Sequence, residues 1–383
     1  MSDRDEKKLL LLVDDDPANI QVVHSILKDD YKIRIATSGA KALDLANAKP
    51  KPDLILLDVM MPEMDGYEVC GHLKASQETQ DIPVIFLTGK TEVADETRGF
   101  AVGAVEYIHK PFSPPIVTAR VCTHLLLRGA REQLASQLSA INSELEMARE
   151  IQMSIVPRET PKIDGLQIAA RFIPMSSVAG DFYDFVITDS KHVGVLIADV
   201  TGHGLPAALI ASMLKVALPA QSAHASDPAR VLSGLNQALC GMFRKYFVTA
   251  AYVFVDMEKN IFRYGGAGHP PLLLSCKATG CANELMQNGL MLGFFPDENY
   301  SAVQVSIASG DRIVLYTDGI VEAPNPSDEQ YGTDRFRQFL EAKQNVCADR
   351  FAEALLEELS RWTGDPVGQA QQDDITFLAI DFK

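Results

Sequence analysis

Short apolar runs alternate with amphipathic segments over the first third of the chain. The segment ANIQVVHSILKD at 18–29, for example, has its apolar positions at helical spacing. Continuous apolar runs are typical of strands that helices cover on both faces, as in parallel sheets. The pattern therefore predicts an α/β domain with a doubly wound, five-stranded parallel sheet. The predicted strands are KLLLLV (8–13), KIRIAT (32–37), DLILLD (53–58), VIFLTG (84–89) and EYIHKP (106–111).

From residue 158 onwards the runs become longer and richer in β-forming residues. Two helical patterns lie among them, PAALIASMLKVALPAQ at 206–221 and PARVLSGLNQALCGMFRKYF at 228–247. Strands in runs with helices grouped between them are typical of an α+β fold, so we expect a layered β-sandwich flanked by helices. The predicted strands are LQIAARFIP (166–174), HVGVLIADV (192–200), TAAYVFVDM (249–257), IFRYGG (261–266), DRIVLYTDG (311–319) and DITFLAID (374–381).

Between these regions a helical pattern carries a narrow apolar seam with polar residues around it. Its members are Leu134, Leu138, Ile141, Leu145 and Ala148, at spacings of 4, 3, 4 and 3. This is the a/d spacing of a coiled coil, held for about two heptads. Two interpretations stay open: an amphipathic helix that lies on its own domain, or a helix that self-associates between two domains.

A length of 383 residues fits two or three domains. We place them at 1–122, at 123–157 for the helical connector, and at 158–383. Pro157 and Pro161 mark the second boundary, because proline interrupts a helix.

Composition narrows the functional classes. The net charge of -16 argues against non-specific nucleic-acid binding, which depends on Lys and Arg neutralising phosphates. The 6 cysteines are scattered without a CxxC pair, which favours free thiols over a disulfide framework or a zinc site. The charged start MSDRDEKK is unlike a signal peptide, and we expect no apolar run to be long enough to span a bilayer. We therefore expect a cytoplasmic protein without membrane partners.

Residues suited to phosphoryl chemistry stand at the ends of the first domain's predicted strands. Asp14 and Asp15 follow the first strand, and Asp58 ends the third. Thr88 and Lys110 stand at the ends of the fourth and fifth. In a parallel sheet these ends meet at one edge, where crowded carboxylates need a cation such as Mg²⁺. An aspartate beside Mg²⁺ and a lysine can accept a phosphoryl group.

This segment resembles the response-regulator receiver family. The resemblance rests on four motifs in order: VDDDP (13–17), LLDVMMPEMDGYE (56–68), FLTGK (86–90) and YIHKPF (107–112). It implies Asp58 as phosphoacceptor, Mg²⁺ held by Asp14, Asp15, Asp58 and the Met60 carbonyl, phosphoryl contacts from Thr88 and Lys110, an aromatic switch at Tyr107 and a cis Lys110–Pro111 bond. It also implies a sensor histidine kinase as partner.

Carboxylates also stand at strand–turn junctions of the last domain. Asp181 lies in AGDFYDF, Asp199 in ADVTGHG and Asp318 in LYTDG, each close to glycine, where backbone can approach a ligand. Asp373 and Asp374 open the last predicted strand. Four or five such carboxylates can hold two divalent ions. A two-metal centre activates water and stabilises an in-line displacement at phosphorus.

This half resembles the metal-dependent protein phosphatases (protein phosphatase 2C, or PPM), especially the bacterial sporulation and stress-response serine phosphatases. The motifs are IQMSIVP (151–157), VAGDFYD (178–184), ADVTGHGLPAAL (198–209), GAGHPP (266–271), LGFFPD (292–297), LYTDGIVEAPNP (315–326) and QQDDIT (371–376). The resemblance implies two Mn²⁺ or Mg²⁺ ions. One is held by Asp181, Asp199 and the Val200 carbonyl, and the other by Asp199, Asp318 and Asp373, with Asp374 as the alternative to Asp373.

The chain departs from this family at Ala179, where Gly is common, and at Gly266, where Asn is common. It has no clear equivalent of the phosphate-binding arginine of eukaryotic members. For His203 two interpretations stay open, a proton donor to the leaving serine oxygen or a residue packed in the turn. We interpret His269 as structural.

Together these features predict a two-component response regulator with phosphatase output. The implied substrate is a phosphoprotein, for which the family suggests an anti-sigma-factor antagonist of the STAS type. A homodimer through the connector helix is a further expectation. The first alternative is a receiver-controlled binding protein whose phosphatase-like domain sequesters a partner without catalysis. The second is a transcription factor, which the absence of a compact basic helix-turn-helix disfavours.

Overall fold

The computed structural model describes residues 7–89, 98–243, 245–368 and 371–383. The first six residues, Lys90 of the FLTGK motif and Arg244 of the second predicted helix lie outside the described residues. The chain separates into two compact units, one ending at Ala140 and the other beginning at Ile141.

The first unit contains a parallel sheet with strand order β2-β1-β3-β4-β5. Its strands are β1 (Leu9–Val13), β2 (Lys32–Ala36), β3 (Leu54–Asp58), β4 (Val84–Thr88) and β5 (Glu106–His109). Three shorter helices are α1 (Pro17–Leu27), α2 (Gly39–Asn47) and α3 (Gly66–Ala75). Alternate residues of each strand enter apolar clusters on opposite faces of the sheet, Leu11 on one and Leu10 on the other. The predicted doubly wound sheet is confirmed.

Local sequence fixes where two of these helices begin. The Asp16 carboxylate accepts a hydrogen bond from the Ala18 N–H at 2.9 Å and so caps α1. At α3, Asp65 accepts from the Glu68 N–H while the Glu68 carboxylate accepts from the Asp65 N–H, which is a capping box. Both helices therefore start at the end of the sheet where the acidic motifs lie.

The connector region lies in α4 (Pro114–Ile155), a continuous helix of 42 residues. Three residues of the predicted seam are exposed, Leu134 by 57%, Leu138 by 52% and Ile141 by 52%. Leu145 and Ala148 are partly buried. The helix begins before the proposed boundary at 122. The proposed connector at 123–157 therefore covers most of this helix and is not an element separate from the end of the first domain.

The second unit contains two sheets. One has the order β13-β10-β9-β8-β7, with β14 also paired to β10, and the other has the order β12-β11-β15-β16-β6. The strands are β6 (Leu166–Ile173), β7 (Phe182–Ile187), β8 (His192–Val200), β9 (Val248–Asp256), β10 (Ile261–Ala267), β11 (Leu272–Ser275), β12 (Ala282–Leu285), β13 (Asn288–Gly289), β14 (Val303–Ser306), β15 (Arg312–Tyr316) and β16 (Ile375–Phe382).

Helices cover the outer faces of both sheets. They are α5 (Leu205–Ala217), the 3₁₀ helix Leu218–His224, α6 (Pro228–Leu239), α7 (Thr333–Ala342) and α8 (Ala348–Thr363). Val253 and Leu378 share the core between the sheets. Leu214 packs with one sheet and Phe351 with the other in two further clusters. The layers run helix, sheet, sheet, helix, as the predicted sandwich required.

Several helix predictions for this unit are wrong in extent. The pattern at 206–221 breaks after Ala217 into the 3₁₀ helix, because Pro219 lacks the N–H that a helix interior needs. The pattern at 228–247 ends at Leu239, and Gly241 follows with φ of 79°. The described residues also contain α7 and α8, which the sequence pattern did not predict.

One expectation about membranes also changes. Residues Leu205–His224 are long and apolar enough to cross a membrane by length and composition, with a mean hydropathy of 1.3 in the window. The expectation that no run is long enough is therefore wrong. Ala207, Ala211 and Leu214 of this stretch are buried in the core of the second unit.

Candidate functional site

Three carboxylates meet at the carboxyl end of the first unit's sheet. Asp14, Asp15 and Asp58 each offer an oxygen, and these oxygens lie within 4.8 Å of one another. Asp14 and Asp58 are buried, whereas Asp15 is exposed. Gly66 permits this packing, because a Cβ there would lie 2.2 Å from the Asp58 carbonyl oxygen. Such an all-oxygen set fits a hard divalent cation, so the residues present suit the Mg²⁺ that the motifs imply.

Lys110 joins two of these carboxylates. Its Nζ lies 2.8 Å from Asp58 Oδ1 and 3.0 Å from Asp14 Oδ2. Burial lowers the pKa of Lys110, but hydrogen bonds to Asp58 and Asp14 outweigh it and the pKa is raised. Burial raises the pKa of Asp58, and nearby Asp14 adds to this while Lys110 opposes it. The ammonium therefore stands where it can neutralise charge that develops on Asp58.

The remaining residues singled out in the first unit surround this edge. Thr88 ends β4, and its carbonyl oxygen accepts a hydrogen bond from the Lys110 N–H at 2.7 Å. Met60 follows β3 and is 61% exposed. The Lys110–Pro111 bond is cis, as the resemblance implied. Tyr107 is buried, with its ring 5.4 Å from Phe86.

The second unit gathers acids from both of its sheets. Asp181 precedes β7 and Asp199 lies in β8, and these two strands pair with each other. Asp318 follows β15, while Asp373 precedes β16, and these strands also pair. The charges of Asp318 and Asp373 act on Asp199, which is also within hydrogen-bonding reach of Asp181. The fold thus brings together four residues that are up to nearly two hundred positions apart in sequence.

Burial and mutual repulsion raise the pKa values of the carboxyl groups in this cluster. Burial raises the pKa of Asp199 to about 7, with Asp318, Asp373 and Asp374 adding to the effect. Burial likewise raises the pKa of Asp318 to about 6, with help from Asp373 and Glu322. For Asp181, burial and the charge of Asp199 hold the pKa well above its usual value. Without a cation these carboxylates keep protons that ordinary surface acids have lost.

Asp181 also has an oxygen free for a ligand. Its Oδ2 accepts a hydrogen bond from the Thr317 hydroxyl at 2.8 Å. Its Oδ1 is buried and accepts no hydrogen bond from the described residues, although the nearby Thr376 hydroxyl opposes the rise of the Asp181 pKa. A buried, unpaired carboxylate oxygen is costly unless a cation or proton satisfies it. The residues present therefore fit the divalent ions that the motifs imply.

The two aspartates before β16 have different environments. Asp374 is buried, and its oxygens accept hydrogen bonds from the N–H groups of Met175 and Gly180, both at 2.7 Å. Asp373 is exposed, and among the described residues its Oδ1 accepts a hydrogen bond from the Asp374 N–H alone, at 2.8 Å. Asp373 is thus the carboxylate with fewer hydrogen bonds, while Asp374 ties two distant loops together.

Two glycines let the acidic segments approach one another. A Cβ at Gly319 would lie 2.0 Å from the Asp374 carbonyl oxygen, so the turn after β15 packs directly on the QQDD segment. A Cβ at Gly180 would lie 2.8 Å from the carbonyl oxygen of Val200. The segments of Asp181 and Asp199 therefore meet backbone to backbone, with the Val200 carbonyl at that contact.

Gln152, near the end of α4, is an important residue to which the sequence pattern assigned no role. Its Nε2 donates to the Ala179 carbonyl at 2.7 Å, and its Oε1 accepts from the Ala179 N–H at 2.9 Å. The helix is thereby fastened to the residue two positions before Asp181. The signal in the sequence that could have pointed to Gln152 is its position in the IQMSIVP motif.

The other residues considered at sequence level fall outside the acid cluster. His203 is exposed in the Gly-rich turn, whereas His269 is buried and pairs through Nδ1 with the Thr249 hydroxyl at 3.0 Å. Burial lowers the pKa of His269 to about 3, which fits a neutral, structural imidazole. Asp184 is buried and pairs with Lys215 at 2.9 Å. Glu322 is exposed.

Comparison with known proteins matches both units. The family model for stage II sporulation protein E matches residues 189–383, and the model for the response regulator receiver domain matches residues 10–122. Phosphoserine phosphatase RsbU of Bacillus subtilis is 33% identical over 200 residues, which are 52% of this chain and 57% of RsbU. Phosphoserine phosphatase RsbP of the same organism is 30% identical over 184 residues, 47% of this chain and 45% of RsbP.

Among solved structures, the SiaA-PP2C domain of Pseudomonas aeruginosa superposes with a TM-score of 0.58 at 26% identity. That match covers 65% of this chain and 100% of the domain. The chain spans about half the length of the curated relatives it matches. The first unit is a receiver domain, the second has the PP2C fold, and the chain belongs to the stage II sporulation protein E family.

Proposed function

We propose that this chain is a two-component response regulator whose receiver, phosphorylated on Asp58, controls a metal-dependent serine/threonine protein phosphatase. The observation that carries the proposal is the convergence of Asp181, Asp199 and Asp318 from separate strands, with pKa values raised by burial and mutual repulsion. The similarity to RsbU and RsbP, both named as phosphoserine phosphatases, supports the proposal.

In the second unit the chain's own residues prepare the site. Thr317 and Gln152 hold the Asp181 segment, and Asp374 ties it to the last strand. Asp181 and Asp199, with the Val200 carbonyl, would hold one Mn²⁺ or Mg²⁺, and Asp199, Asp318 and Asp373 would hold the other. Two divalent ions in such a site supply an activated water and stabilise charge on the phosphoryl oxygens.

In the receiver, Asp14, Asp15, Asp58 and the Met60 carbonyl would hold Mg²⁺. The Lys110 ammonium, already 2.8 Å from Asp58, would balance the charge of a phosphoryl group there. Thr88, at the end of the neighbouring strand, would contact the phosphoryl oxygens. A sensor histidine kinase is the proposed phosphodonor.

The substrate we propose is a phosphoserine or phosphothreonine protein, such as a STAS-type anti-sigma-factor antagonist, in the cytoplasm. Helix α4 is the proposed transmitter, because it leads out of the receiver and Gln152 fastens its end beside the Asp181 segment. Its exposed Leu134, Leu138 and Ile141 support a homodimer through this helix.

The test is Mn²⁺-dependent hydrolysis of 4-nitrophenyl phosphate by the full chain. Asp199→Ala should lower turnover by orders of magnitude, because Asp199 interacts with Asp181, Asp318 and Asp373 and would be shared by both ions. Asp58→Asn should prevent phosphoryl uptake from acetyl phosphate but leave basal hydrolysis intact. The matched control is Asp16→Asn, which keeps a helix-capping side chain in the same acidic run.

Two results would contradict the proposal. Absence of hydrolysis at every metal concentration would favour the alternative in which the second unit sequesters a partner without catalysis. A loss of basal hydrolysis in Asp58→Asn would show that the phosphoacceptor and the hydrolytic site are not separate.

A further inference from the structure

A cavity of ≈340 Å³ opens beside the acid cluster of the second unit. Asp373 and Gly319 form the end nearest the cluster, and Asp365 lies after the end of α8. One water molecule occupies about 30 Å³, so the cavity is large enough for a long side chain. It is therefore placed where a residue close to a phosphoserine in the substrate could enter.

The floor of the cavity is apolar and its walls are well fastened. Ala323, Leu359 and Ile375 are buried and belong to one core cluster. The Trp362 Nε1 donates to the Ala323 carbonyl at 3.0 Å, which joins the loop after β15 to α8. The cavity is thus a formed feature of the fold.

Among the described residues, every charged side chain that lines this cavity is acidic. The acids are Glu322, Asp365 and Asp373, all exposed, and no lysine or arginine accompanies them. Neither Glu322 nor Asp365 makes an ion pair within the part of the chain that the structure describes. Their negative potential is therefore directed into the open cavity.

An apolar floor below an acidic rim fits one type of side chain. Lysine and arginine carry a long aliphatic stem that packs on apolar surface and a cationic head that stays near water. A phosphoserine residue brought to the adjacent acid cluster would place its neighbours within reach of this cavity. An acidic neighbour would instead meet like charge.

We propose that this cavity is a substrate subsite that receives a lysine or arginine side chain lying near the phosphoserine of the protein substrate. This rests on the proposed phosphatase function and specifies its substrate class. Asp365 and Glu322 attract the cationic head. The stem contacts the apolar lining residues that keep accessible surface, which are Pro324, Pro326 and Val367. Asp365 and Glu322 determine specificity and take no part in the chemical step.

The experiment compares phosphoserine peptides that carry lysine or norleucine at each of the positions flanking the phosphoserine. Norleucine has the stem without the charge, so the ratio of kcat/KM values isolates the electrostatic part. We expect lysine to be favoured about threefold to fivefold at one or more positions, as for partly exposed ion pairs. In Asp365→Lys the preference should vanish or invert, while 4-nitrophenyl phosphate is hydrolysed as before.

Asp297→Lys is the matched control, since Asp297 is exposed and does not line the cavity. It should keep the lysine preference. The inference is overturned if no position distinguishes the two peptides, or if the preference survives in Asp365→Lys. It is also overturned if Asp365→Lys shifts the Mn²⁺ dependence of ester hydrolysis, because the rim would then be holding a cation.

A failure of the phosphatase proposal would look different. In that case neither 4-nitrophenyl phosphate nor any peptide would be hydrolysed at any metal concentration. The cavity is then tested by fluorescence anisotropy with the same labelled peptides. Equal affinity for lysine and norleucine peptides would overturn the subsite, and a lysine preference lost in Asp365→Lys would support it.

Discussion

Gln152 forms a two-point hydrogen-bond pair with the backbone of Ala179, at 2.7 Å and 2.9 Å. Both residues are buried, so neither group can turn to water instead. Ala179 is followed by Gly180, whose N–H is held by Asp374, and then by Asp181. The end of the long helix α4 is therefore continuous, through two sets of hydrogen bonds, with the acid cluster.

Replacing Gln152 by methionine should destabilise the second unit by about 2–4 kcal/mol, because methionine keeps the volume and leaves two buried backbone groups unpaired. Chemical unfolding of the full chain measures this. Gln167→Met is the control, since Gln167 forms an exposed hydrogen bond with Asp349 and its loss should cost less than about 0.5 kcal/mol. Equal losses for the two variants would contradict the importance of the Ala179 pair.

The adjacent aspartates before β16 should separate in their effects. Asp373→Asn should raise the Mn²⁺ concentration needed for half-maximal hydrolysis by at least about tenfold, since even an outer partner of a metal site is worth about 10–100-fold. It should not destabilise the metal-free protein, because it removes a charge that repels Asp199 and Asp318.

Asp374→Asn should instead lower the free energy of unfolding by about 1.5–3 kcal/mol, the value of a hydrogen bond to a charged group. The amide would turn an N–H towards the backbone N–H of Met175 or Gly180. Urea unfolding and Mn²⁺ titration of both variants check the pair. Reversed roles, with Asp373 stabilising and Asp374 controlling metal dependence, would show that the ligand assignment is wrong.

Gly319→Ala should impair both stability and hydrolysis. The added Cβ would lie 2.0 Å from the Asp374 carbonyl oxygen, so the turn carrying Asp318 must move away from the last strand. We expect a loss of about 1–3 kcal/mol and a clear fall in turnover. Gly71→Ala is the control, because its new Cβ in helix α3 would meet no described atom within 4 Å apart from the adjacent backbone of its own helix. It should stabilise the receiver by about 0.5–1 kcal/mol without affecting basal hydrolysis.

The receiver was the more predictable half, because β1, β3 and β4 are short apolar runs and each has a motif residue at its carboxyl end. Asp14 and Asp58 were placed at one edge by topology alone, and the structure places them there. In the second unit the strand pattern predicted the sandwich. The helix ends were misjudged although Pro219 and Gly241 stood in the sequence as interruptions.

Other features depend on distant contacts that local patterns do not encode. Asp373 and Asp374 precede the first residue of β16, so strand alternation says nothing about which one turns inward. Burial of Asp374 results from the amides of Met175 and Gly180, almost two hundred residues earlier. Helix α8 was missed despite its amphipathic sequence, in which Phe351, Leu355 and Leu359 form a buried stripe.

The acid cluster should make the stability of the metal-free protein fall as pH rises. The folded pKa is about 7 for Asp199 and about 6 for Asp318, both above the ordinary value for aspartate. Between the ordinary value and these raised values the folded state binds more protons than the unfolded state, so stability declines with pH through this window. We expect the Tm of the second unit to drop between pH 5 and pH 8 in EDTA.

Saturating Mn²⁺ should remove most of that decline, because bound cations take the place of the protons. His192 also makes the stability of the folded protein fall as pH rises. Burial lowers its pKa, but Asp189 and Asp256 outweigh this and raise it. His192→Gln should therefore keep the metal-sensitive part of the decline, whereas Asp199→Asn should lose much of it. Thermal scans of the three proteins with and without Mn²⁺ decide the matter, and a decline that Mn²⁺ leaves unchanged would mean that the carboxylates do not share a cation.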